Sequence, residues 1–170
     1  LFLFISFLCL AALLGIDNIS FQSTKWLHNG TDITAPLLAW HFFKNDIWRL
    51  PLGSNPNYGD EIGSSIVFSD SIPILALFFK LFKSFIPASS QYISFWYLIC
   101  FYFQLFFSFK ILKKFTNSVP YSLIGSIFFL ITPILMWKLQ MVPALVGQWI
   151  LLLTLYLGLT HKVDKAKLSW

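Results

Sequence analysis

Long apolar runs separated by short polar connections dominate the chain. Four of them, residues 1–15, 91–112, 118–137 and 142–160, approach the roughly 20 apolar residues that an α-helix needs to cross about 30 Å of hydrocarbon. Each is read as a transmembrane helix, the first of them cut short. A fifth run, 72–86, is shorter and carries Lys80 and Lys83. On a helical wheel these lysines fall with Ala76, Ser84 and Pro87 in a narrow polar stripe, while Leu75, Phe78, Phe79, Phe82 and Phe85 cover the remainder. The pattern predicts a helix near 71–86 that lies in the membrane interface rather than crossing it.

Residues 16–90 form the large connection that contains this helix. Within it, Thr31-Asp32-Ile33-Thr34-Ala35-Pro36 supplies helix-start residues ahead of 37–45, which is apolar nearly all round. Pro36 suits a first helical turn, where its missing N–H costs little, so a second membrane-facing helix is predicted near 32–45. The stretch 51–69 is rich in Gly, Pro, Asn and Ser and reads as a chain of turns with exposed backbone donors. Asp70 or Ser71 is placed to cap the interfacial helix, with Pro73 in its first turn.

Lysine distribution sets the orientation, because short cytoplasmic loops collect Lys and Arg. If 72–86 does not span, Lys110, Lys113 and Lys114 share one side with Lys162, Lys165 and Lys167, and the opposite short loop holds only Lys138. If it spans, those six lysines fall outside, against the rule. The expectation is a bacterial inner-membrane, multi-pass protein with 16–90 facing the periplasm or exterior and 161–170 a truncated cytoplasmic tail. Trp26, Trp40, Trp48 and Trp137 read as interfacial belt residues.

Composition agrees with the pattern. The 170 residues are 57% hydrophobic, 19% aromatic and 11% charged, with a mean hydropathy of +0.72, whereas soluble domains are about a quarter charged. An all-α polytopic membrane protein is the predicted fold class. Cys9 and Cys100 both lie inside apolar runs, so they build neither a disulfide framework nor a metal-ligand spacing. The net charge of +5 is accounted for by the basic clusters, whose expected partner is anionic membrane lipid and not nucleic acid. The chain opens at Leu1 inside an apolar run, and the expectation is the N-terminal part of a longer protein with an uncleaved first span.

Charge also narrows the chemistry. Of the seven acidic residues, all but Asp164 lie in 16–90: Asp17, Asp32, Asp46, Asp60, Glu61 and Asp70. The predicted spans hold no carboxylate, and Gln104 and Gln148 are their main polar side chains. Intramembrane proton and ion paths use ionisable groups, so chemistry is expected in the large connection. Were 31–45 one continuous helix, Asp32 and His41 would be separated by about 900° of turn and ~13 Å of rise, and could not share a ligand. Arg49, the one arginine, is suited to holding a lipid phosphate bidentately or to snorkelling beside Trp48.

The run Pro51-Leu-Gly-Ser-Asn-Pro-Asn-Tyr-Gly-Asp-Glu-Ile-Gly-Ser-Ser-Ile-Val-Phe-Ser-Asp-Ser-Ile-Pro-Ile-Leu-Ala76 resembles the signature of a bacterial multi-pass membrane family of unknown function. That family is similar to the GT-C glycosyltransferases, and the resemblance covers roughly residues 16–160. It implies a GT-C-like fold: a first span, a large outer loop with two membrane-parallel helices, then further spans. It also implies transfer of a sugar from a polyprenyl-phosphate donor to a cell-envelope acceptor. By its place before the Pro36 helix, Asp32 matches the aspartate that acts in such enzymes as base or as ligand of a divalent metal, Mg or Mn. The second acid that often follows directly is absent, because residue 33 is Ile. A sugar hydroxyl is a weak nucleophile until a base takes its proton; helix capping is the competing role for Asp32, and the two are compatible. His41, Arg49, Asn55, Tyr58 and Asp70 are the candidate substrate-binding residues. The non-enzymatic alternative is a lipid-linked glycan flippase or an envelope-assembly protein.

Overall fold

The computed structural model describes residues 1–28 and 32–161. The lysine-bearing stretch 162–170 that sequence places in the cytoplasm, and the helix-start residue Thr31, lie outside the described residues. The protein is mostly helical. Among the described residues, two helical segments are long and apolar enough to cross a membrane, or three if one bent pair is a single span.

Helix α1, Phe2–Leu14, is apolar throughout and stops at Gly15, whose φ of 86° only glycine adopts cheaply and whose N–H donates to the Ala11 carbonyl. The central element is a 24-residue helix, Ile93–Thr116, about 36 Å long and so sufficient to span hydrocarbon. It is α4 in chain order; α2, Thr34–Asn45, and α3, Pro73–Leu81, precede it. Phe2 of α1 meets Phe106 and Phe109 of α4 edge-on at 5.8 and 5.1 Å. Tyr97, Cys100, Phe101 and Leu105 of α4 form the main core with Leu10, Leu27, Ile33 and Leu37.

After a left-handed stop at Asn117, the chain returns as α5, Val119–Phe128, and α6, Pro133–Met141. The region 118–137, one apolar run in the sequence, is thus two helices bent by 48°. Proline explains the break. Pro133 has no N–H to give to the preceding turn, and it forces Thr132 into an extended conformation, ψ 138°. Gln104 of α4 donates to the Phe129 carbonyl at the break, 3.5 Å. The last segment runs from a 3₁₀ turn, Pro143–Val146, into α7, Trp149–Thr160, and together they make the second long apolar segment.

The 16–90 connection has its own small core of Ala39, Trp40, Phe43, Ile66, Ala76 and Tyr92. Strands β1, Ser54–Asn55, and β2, Ser64–Ser65, pair antiparallel with Ser54 opposite Ser65. Three sequence expectations change here. Trp40 is not a belt residue: it is buried, its indole N–H donates to the Ser90 carbonyl at 2.9 Å, and its ring meets Tyr92 edge-on at 4.9 Å. Lys80 does not lie on a polar stripe turned to water. It is 1% exposed, with Nζ 3.9 Å from the centre of the Phe43 ring and 4.9 Å from that of Trp48, donating to the Ile47 carbonyl. The buried half of the stripe, Ala76 and Lys80, is the part that packs on α2, where the aromatic faces and the Ile47 carbonyl suit an ammonium; Lys83, Ser84 and Pro87 stay exposed. Finally, neither Asp70 nor Ser71 caps α3. Its N-cap is Ile72 at φ 45° with no side-chain cap, and the Ser71 hydroxyl is committed to the Pro36 carbonyl.

Candidate functional site

An open cleft of ≈ 530 Å³ lies at the C-terminal end of α2, walled by His41, Phe42, Asn45, Asp46, Ile47 and Asn57. His41, Phe42 and Asn45 share one helix face by their i, i+1, i+4 spacing. The turn-rich segment supplies the opposite wall, and two of the candidate binding residues hold it there. Asn55, fully buried, donates from Nδ2 to the Ala39 carbonyl at 2.9 Å. Tyr58 donates to the Ala35 carbonyl at 3.5 Å and rests on Phe42, ring centres 5.9 Å apart. Gly53, at φ 96°, makes the hairpin possible: a Cβ there would come within 3.2 Å of the Ile66 side chain.

The acid in the cleft is Asp46. Its Oδ1 accepts the Ile47 N–H at 2.8 Å and its Oδ2 accepts Arg49 Nε at 3.2 Å, with Arg49 Nη2 3.4 Å from Oδ1. The Arg49 hydrogen bond, followed by the backbone donor of Ile47, outweighs burial and holds the carboxyl below its ordinary pKa. His41 is half-buried. Desolvation first, then the positive charge of Lys44 and that of His28, push its pKa below the ordinary imidazole value. A neutral imidazole, two amides and a paired carboxylate therefore face one open space, a set of donors and acceptors suited to hydroxyl groups rather than to a charged ligand.

Asp32 stands elsewhere. It is exposed, in the turn before α2, and only its backbone carbonyl joins the helix start, accepting the Ala35 N–H at 3.2 Å. The N-cap is Ile33, without a side-chain cap, so capping does not occupy the Asp32 carboxylate. His41 lies about 10 Å further along the helix axis than the first helical residue, and Asp32 is not part of the cleft wall. Among the described residues no three His, Cys, Asp or Glu side chains are grouped so as to hold a metal ion.

Residues 3–170 match a family model described as a domain of unknown function, DUF6311. The chain belongs to the DUF6311 family. No curated protein and no solved structure is similar to it. The DUF6311 match takes in the whole connection with its cleft. Within it, Arg49 pairs with Asp46 through Nε and Nη2 while its side chain stays 43% exposed, Asn55 and Tyr58 brace the hairpin, and Asp70 is exposed at φ 52° in the turn before α3. Of the candidate site residues named from sequence, only His41 lines the cleft. Asn45 and Asn57 were not singled out, and Asp46 was named only as one of the acids of the connection, since nothing in a one-dimensional pattern marks a helix end as facing the turn-rich segment.

Proposed function

We propose that this DUF6311 protein is an integral membrane glycosyltransferase of the GT-C type, taking a sugar from a polyprenyl-phosphate donor and passing it to a cell-envelope acceptor. One observation carries the reading. Two short helices and a braced hairpin, inserted between a first apolar helix and the long α4, hold a cleft whose imidazole, amides and paired carboxylate match hydroxyl groups. In this reading the connection faces the periplasm or exterior, the cleft of His41, Asn45, Asp46 and Asn57 receives the sugar, and Asp32 accepts the proton of the acceptor hydroxyl. Among the described residues no group engages the Asp32 carboxylate, which supports that role.

The second reading, a lipid-linked glycan flippase, is favoured by the 48° break between α5 and α6 beside Gln104, since discontinuous helices commonly line transport sites. Release of polyprenyl phosphate by the purified protein separates the two. Transfer predicts stoichiometric release that Asp32→Asn reduces by at least about a hundredfold, the scale of a lost general base, with insertion and melting unchanged. Unaltered turnover in Asp32→Asn sinks the assignment of the base; sugar translocation without release sinks the transferase.

A further inference from the structure

A second, smaller cleft of ≈ 310 Å³ lies on the other side of Asn45, walled by Lys44, Asn45, Lys83, Ser84, Ile86 and Ala88. Its chemistry is the reverse of the first cleft: two lysines, an amide and a hydroxyl, with no carboxylate on the wall. Lys44 is the unusual member. It is 3% exposed, and its ammonium donates to the carbonyls of Pro87 at 3.2 Å and Ala88 at 2.5 Å and to the Ser90 hydroxyl at 3.3 Å, with the Trp40 ring 5.6 Å away. Every one of these partners is neutral. Among the described residues the one ion pair is Arg49 with Asp46, so the Lys44 charge is buried with no anion beside it, and burial pushes its pKa down from the ordinary lysine value.

Burying an ammonium without a counter-charge is costly, and a charge kept in that state is stabilised by an anion that enters the adjoining space. The ligand must be an anion with several acceptor oxygens, because the three Lys44 donors are already used. Lys44 contributes field, while the exposed Lys83 ammonium, the Ser84 hydroxyl and the Asn45 amide contribute the donors. A phosphate ester fits these demands. The setting fits as well: Lys83 and Ser84 lie in the 3₁₀ turn after α3, flanked by Phe82 and Phe85, which are 45% and 87% exposed, so apolar surface for the chain of an amphiphile adjoins the donors.

We propose that Lys44, Asn45, Lys83 and Ser84 form a binding subsite for the phosphate of a membrane amphiphile. Asn45 lines both clefts, so a phosphate held here has its substituent next to the His41 cleft; that last step alone rests on the transferase reading, while the subsite stands on its own walls.

The test uses the whole protein in a phosphate-free maltoside detergent, with binding of farnesyl phosphate, farnesol, inorganic phosphate and dihexanoyl phosphatidylglycerol followed by calorimetry. Farnesyl phosphate should bind with Lys83→Gln weakening it at least about tenfold, the scale of one charge-assisted hydrogen bond, and Ser84→Ala weakening it less. Both are exposed positions, so folding is not at stake, and Lys25→Gln, an exposed lysine outside the cleft, should leave affinity unchanged. Competition by the phosphatidylglycerol at equal strength identifies a general headgroup site, competition by inorganic phosphate a site for the bare anion, and neither a site for polyprenyl phosphate; all three uphold the phosphate subsite. Farnesol binding as tightly as farnesyl phosphate, or Lys83→Gln and Ser84→Ala both binding as wild type, overturns it. Binding is read without turnover, so a wild-type protein that binds farnesyl phosphate but releases no polyprenyl phosphate in the transfer assay removes the transferase and leaves the subsite.

Discussion

At the scale of single residues, the two buried lysines of the connection show how an ammonium can be tolerated in different ways. Lys80 has ring faces on two sides and the carboxylate of Asp46 acting favourably on it, although burial still lowers its pKa. Lys80→Met keeps the apolar stem, losing about 0.5–2 kcal/mol of cation–π attraction while removing a desolvation cost of similar size. Its melting temperature in detergent, read by tryptophan emission, should stay near wild type. Lys80→Glu sets an anion against ring faces and against Asp46, and should unfold the connection at ordinary temperature. Equal melting of the two variants would contradict the ring-face account.

His41 gives a pH signature. With its folded pKa depressed, the unfolded chain binds more protons than the folded one around the ordinary imidazole value, so stability falls as pH drops through about 6.5 towards the lower folded pKa. The groups acting on it are Lys44 and His28, with Asp46 on the same cleft wall. Melting followed from about pH 8 to 5.5 should decline for wild type and decline less for His41→Gln; identical curves would show that another group sets the dependence. The sequence marked His41 as a candidate binding residue but showed neither its environment nor the burial of Lys44. Burial decides their chemistry, and burial depends on where Pro87–Ser90 and the hairpin come to rest.

At the scale of elements, small residues govern the α4–α5 contact. Ser122 and Ser126 are fully buried there, and a Cβ on Gly125 would stand 2.8 Å from the Leu112 Cδ1. Helices in lipid gain little from apolar burial against each other, so close approach through small residues carries the packing. Gly125→Val should cost about 1–3 kcal/mol, the usual penalty of overpacking, and Gly125→Ala less, because the end of the Leu112 side chain can move; a Gly125→Val that melts like wild type would show the contact to be loose. Hydropathy revealed the apolar runs that became these helices, since that signal sums over many residues. It was blind to the bend at Pro133, because a proline within an apolar run is compatible with a straight, kinked or broken helix until its neighbours are known.

At the scale of the molecule, the helical membrane architecture followed from composition and run length, which are global quantities. The clefts did not, because they arise where segments distant in sequence converge on the last turn of α2. Orientation is open to direct test. Ile62, 96% exposed in the hairpin, and Phe115, 70% exposed at the far end of α4, should as cysteines label oppositely: Ile62→Cys from outside intact cells, Phe115→Cys only after permeabilisation. Labelling of residue 115 alone from outside would invert the lysine-based topology.

Helix α2 belongs to two cores. Its beginning, with Leu37, is packed among the membrane helices, and from Ala39 onward, with Trp40 and Phe43, it builds the core of the connection and then the walls of both clefts. Because one rod is shared, a side chain lost from its first turns loosens the seat of the residues that wall both clefts, so packing among the apolar helices and the shape of the clefts are not independent.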